Sequence, residues 1–113
     1  MQQGGRLVDD VGRVGQEATN GQYANWVDYS AAVDGASEGV AVFVPQDGGW
    51  RKWLTRDYGT FGPRRVDALS GREFALGKGE TLAGSVRLFV HRGDATTGGV
   101  AARYRDYVRE GGR

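Results

Sequence analysis

"GQYANWVDYSAAVDGASEGVAVFVP", residues 21–45, decides the fold. Its first part, 21–30, is rich in aromatic and β-branched residues, the composition of a strand. Strand alternation puts Tyr23, Val27 and Tyr29 on one face and Trp26 on the other. Both faces then carry large side chains, which suits a strand covered on both sides. "VDGAS", 33–37, contains the Asp-Gly signal of a tight hairpin. "EGVAVFVP", 38–45, reads as a fully buried strand that Pro45, lacking an N–H, brings to a stop.

Downstream the same grammar repeats. "WRKWLTRDYG", 50–59, predicts a strand ending at Gly59, with a break at Gly62-Pro63 and an irregular stretch or a weak strand after it. In "REFALGKGETLAGSVRLFVH", "EFAL" and residues 82–91 read as strands around a "GKGE" turn. Val86, Leu88 and Val90 share one face, and Ser85, Arg87, Phe89 and His91 the other, the pattern of a half-buried antiparallel strand. Glycine accounts for 20 of 113 residues, scattered as turn punctuation. Only the C-terminus has helical period: Val100, Tyr104 and Val108 recur at i, i+4 and i+8, beside Ala101. Thr96 or Thr97 is the expected cap at its start, and Gly111 the left-handed residue at its end.

Composition excludes several functions. No cysteine is present, which removes disulfides, thiolate zinc sites and cysteine nucleophiles. The net charge of +1, from 15 basic and 14 acidic residues, gives no basic excess for nucleic acid. No apolar run approaches the roughly 18 residues of a membrane span. The expected partners therefore include neither nucleic acid nor membrane. The N-terminus lacks signal-peptide order, which fits synthesis in the cytoplasm or a start that lies further upstream.

The candidate chemistry is sparse. One histidine, His91, stands three residues before Asp94 in "HRGD". The two residues either orient a general base or mark a strand end and the turn before the helix. With one histidine and no cysteine, no metal site and no cofactor are expected. "GREFALGKG", 71–79, has one residue too many for a phosphate loop and lies between strands, so it is a hairpin. Trp50, Trp53, Tyr58 and Phe61 cluster around a loop, either as sugar-stacking platforms or as ordinary strand-end packing.

Four segments, "ANWVDYSAAVDGASEGVAVFVP", "WLTRDYGTFGP", "LGKGETLAGSVRLFVHRGDA" and "ARYRDY", together resemble the C-terminal part of the PmoA-like proteins. This bacterial family of poorly understood function carries the name methane oxygenase PmoA. The similarity covers residues 21–107. It departs where the family places His-Pro and then Asn after the apolar strand: here Val44-Pro45 and Asp47 stand instead. The family domain is also longer, so the resemblance implies that 1–113 is either one domain or the C-terminal portion of a longer β-sandwich domain.

The expected fold is all-β, an antiparallel β-sandwich with a short C-terminal helix. By fold analogy it is part of a larger sandwich of the mutarotase-like class. The resemblance implies a soluble, carbohydrate-related protein with a small carbohydrate ligand in a strand-end cleft. Arg56, Tyr58 and Trp53 are the candidate ligand-binding residues, and His91, Asp94 and Asp28 the candidate catalytic ones. The alternative is a non-catalytic structural or binding lobe, a fragment partnered by the missing N-terminal part of its domain.

Overall fold

In the Asp34-Gly35 turn both residues have positive φ, 51° and 83°. That geometry suits the right-handed twist of the strands it joins, and Asp and Gly tolerate it. The pairing runs from Val33↔Ala36 through Trp26↔Phe43 without a break. The computed structural model describes residues 5–45, 52–57, 59–64, 78–79 and 86–111. Its elements are β1 (Arg6–Asp9), α1 (Gln16–Thr19), β2 (Trp26–Val33), β3 (Ala36–Phe43), β4 (Lys52–Thr55), β5 (Phe61–Arg64), β6 (Arg87–Arg92) and α2 (Val100–Arg109).

Four strands form an antiparallel sheet in the order β1-β2-β3-β6, and β4 pairs with β5 in a second, two-stranded sheet. The result is a mostly β, sandwich-like fold with one short C-terminal helix. Each face of the larger sheet has its own core. On one, Leu7, Val27 and Val42 pack with Ala24, Val44 and Trp53, so the small sheet covers this face. On the other, Trp26, Ala41 and Phe43 pack under Ala95, Val100 and Tyr107, so α2 covers that one. Leu7, Val27, Phe43, Val44, Trp53, Val100 and Tyr107 are the large apolar residues with almost no exposed surface.

Several expectations are revised. The segment 61–64 is a strand, with Trp53↔Pro63 and Leu54↔Gly62 in register, so Gly62-Pro63 lies inside β5 and the turn falls at Gly59, φ 102°. Proline is tolerated because β5 has a neighbour on only one side among the described residues. β3 is buried only toward its end, Ala41 to Phe43, with Val44 just after it, while Ala36 to Glu38 are exposed. β6 keeps the expected alternation, with Val86, Leu88 and Val90 as the exposed row, 45%, 60% and 74%, and Phe89 and His91 facing the helix. α2 begins with Gly99 in the left-handed region and no side-chain cap, so neither Thr96 nor Thr97 caps it. Gly111, φ 108°, follows its end as expected. The "EFAL" strand lies outside the described residues.

Candidate functional site

Register explains how the one histidine finds its partner. His91 on β6 stands opposite Gly39 on β3, and Gly39 stands opposite Ser30 on β2. Any side chain at position 39 would block the way: a Cβ there would lie 2.8 Å from His91 Cε1 and 2.9 Å from Nε2. Glycine leaves that space open, so the imidazole crosses β3 and places Nε2 2.5 Å from Asp28 Oδ1 on β2. The other edge of the ring meets Gly98, where a Cβ would lie 2.3 Å from Nδ1. Nδ1 lies 3.1 Å from the Arg92 carbonyl oxygen.

The pair is dry: the His91 side chain is 3% exposed and that of Asp28 0%. Burial pushes the Asp28 carboxyl above its ordinary range, opposed by the hydrogen bond and charge of His91. For His91 burial works against the charged ring, but the Asp28 bond, the Arg92 carbonyl and the Asp28 and Asp94 charges outweigh it and raise its pKa. Asp28 Oδ2 is buried without a hydrogen-bond partner.

Asp94 does not hydrogen-bond to His91. Its Oδ1 accepts from the Thr97 N–H at 2.8 Å and the Thr97 hydroxyl at 3.0 Å, which shapes the turn before α2. These bonds hold its carboxyl below the ordinary range. The residue orienting His91 is therefore Asp28, 63 positions away in sequence.

The "RD" of "WLTRDYG" fastens β4 to α1. Arg56 Nη1 donates to Asn20 Oδ1 at 3.1 Å and to the Thr55 carbonyl at 2.9 Å. Asp57 and Gln16 bond reciprocally, each accepting the other's backbone N–H through its side chain, at 3.2 and 2.9 Å. Tyr58 lies outside the described residues. Trp53 is 0% exposed and donates its indole N–H to the Ala24 carbonyl at 2.9 Å, so its ring belongs to the core and presents no stacking surface. Trp53 and the neighbouring Arg56 lie on the small-sheet side of the larger sheet and His91 with Asp28 on the helix side. The larger sheet separates the two groups.

Sequence reasoning passed over the β1 end. Asp9, 1% exposed, accepts from the Val11 and Arg13 N–H groups and from Arg13 Nε at 2.6 Å. An Asp three residues before Gly12 is a recognisable turn signal, and it was there to be read. Next to it, Asp10 Oδ2 accepts from Asn25 Nδ2 at 2.8 Å. Asp9 and Asp10 wall a groove of about 420 Å³ that continues along Trp26, Thr96, Val100 and Ala101. A smaller cavity of about 90 Å³ lies between β6 and the end of α2, lined by Phe43, Arg87, Phe89, Arg103 and Tyr107.

Among the described residues, no three His, Asp or Glu side chains gather in a metal-binding arrangement. Nor is any helix long and apolar enough to cross a membrane. What the fold and its polar groups define is a mostly β, sandwich-like structure in which His91 and Asp28 are bonded to one another. The chain belongs to DUF6807, a family of unknown function whose model matches residues 1–105. No curated protein and no solved structure matches it.

Proposed function

We propose that this chain serves as a non-catalytic lobe of a larger β-sandwich protein, its polar constellation fastening strands rather than performing a reaction. One observation carries the reading: the candidate side chains among the described residues are committed internally. Both His91 nitrogens face protein oxygens, Asp94 holds Thr97, Arg56 holds Asn20, and Trp53 and Asp28 have no exposed surface. A general base needs a free face toward substrate, and a stacking ring needs an open one. The exposed Val86, Leu88 and Val90 row supports the same reading, as a half-face suited to further strands of the same protein. The resemblance to PmoA-like proteins agrees with a lobe of that kind.

A second reading rests on the groove beside Trp26 and Asp10, whose largely apolar wall and carboxylate edge suit a small carbohydrate. The two readings separate in one pair of measurements, a glycan-array screen and melting curves for Arg56→Ala and His91→Gln. The lobe reading expects both variants to melt earlier and no glycan to be retained. A glycan whose binding falls tenfold or more in Arg56→Ala at an unchanged melting temperature overturns it in favour of a ligand cleft. A glycan whose binding is lost on Trp26→Phe alone selects the groove.

A further inference from the structure

His91 is held so that its neighbours dictate its protons. The Arg92 carbonyl oxygen, 3.1 Å from Nδ1, can only accept, so that contact is a hydrogen bond only if Nδ1 carries the hydrogen. The 2.5 Å approach of Nε2 to Asp28 Oδ1 is a hydrogen bond only if a proton sits between them, on either atom. Without it, two lone pairs would face each other at that distance in a buried site. Gly39 and Gly98 leave the ring a slot fitted to it, since a Cβ at either position would lie within 3 Å of a ring atom.

We propose that the Asp28–His91 pair holds one shared proton as a structural clamp, fixing the turn before α2 to the sheet, and that the fold loosens when alkaline solution removes it. The clamp joins β2 to the end of β6. The chain continues from there through Gly93, whose N–H bonds the Ser37 carbonyl at 2.8 Å, and Asp94 into α2. The charged groups around the pair are few. Asp94 faces it from the turn, and Arg6 of β1 acts on Asp94. On α2 Arg103 lies over the Phe89 ring, and on β6 Arg87 lies over the Tyr107 ring. β3 contributes Gly39 and Ala41 on this face, with Glu38 and Arg92 opposite each other in register on the other.

The sign follows from linkage. Both groups hold protons more tightly folded than their ordinary values. Above about pH 6.5 the unfolded chain releases the histidine proton to solvent base while the folded pair retains it. Folding then takes up one proton, so the folding constant falls about tenfold per pH unit until the folded pair also deprotonates.

His91 is the sole histidine, so its ring signals in a ¹H–¹⁵N spectrum of the 113-residue chain need no assignment. The clamp expects ring shifts whose titration midpoint lies above about 6.5. A midpoint at or below that value overturns it. Urea unfolding from about pH 6.5 to 8.5 gives a second test, with the α-amino group the one other group of ordinary pKa in that range. Asp28→Asn should abolish the tenfold slope, because an amide N–H can donate to a neutral Nε2 with no extra proton. If that variant fails to fold, the wild-type slope decides: an unfolding constant flat across the window overturns the proposal.

Discussion

Two glycines do at residue scale what a larger side chain could not. Gly39 opens the path across β3, and Gly98 closes the slot over the ring. Neither has the positive φ that often accounts for glycine, so the reason is space. Gly39→Ala and Gly98→Ala should each destabilise the fold by about 1–3 kcal/mol, the usual cost of overpacking. Gly62→Ala is the matched control: nothing lies within 4 Å of its added Cβ, and its effect should stay within about 0.5 kcal/mol. Urea midpoints of the three variants check the ordering. Equal effects would mean the ring moves aside freely. The sequence named His91, Asp28 and Asp94 and left Asp94 as either a partner of His91 or the start of a turn; it shapes the turn, and the partner is Asp28. Asp94 is near in sequence, whereas Asp28 is reached only through two strand registers that no local pattern displays.

Elements were legible where their period repeats often enough. β2, β3 and their Asp-Gly turn could be read because eight residues a side carry strand composition and the turn residues accept positive φ. β1 went unread because four residues, "RLVD", give alternation too little length to stand above its charged surroundings. α2 was visible from Val100, Tyr104 and Val108, but Tyr107, which is 2% exposed, is the residue that seals it to Phe43, with ring centroids 5.5 Å apart. Its start was misread because Thr97 bonds Asp94 in the preceding turn and leaves Gly99 at the helix boundary. Tyr107→Ala should cost about 3–5 kcal/mol, the range for deleting a buried aromatic ring. Ala101→Ser, on the exposed side, should cost under about 0.5 kcal/mol. Far-ultraviolet circular dichroism during thermal melting compares them. A Tyr107→Ala protein as stable as the Ala101→Ser one would mean that α2 contributes little to the fold.

At the scale of the whole molecule the two faces of the larger sheet are treated unequally. The helix side is closed by α2, whereas the small-sheet side is closed over Leu7, Val27 and Val42 and left open along β6. This asymmetry was hidden in the sequence because Val86, Leu88 and Val90 look like a core row by composition, and burial depends on what lies opposite. An open apolar row next to a closed core is what a lobe needs if further strands of a larger sandwich continue over it, and it leaves an isolated chain prone to self-association. Leu88→Lys together with Val90→Lys should therefore change the urea unfolding free energy by less than about 1 kcal/mol, the sum expected of two exposed sites. The same pair should shift sedimentation toward a single monomeric species at concentrations where the wild type associates. A loss of several kcal/mol from that double substitution would show that the row is covered within this chain in solution, and the lobe reading would lose its open face.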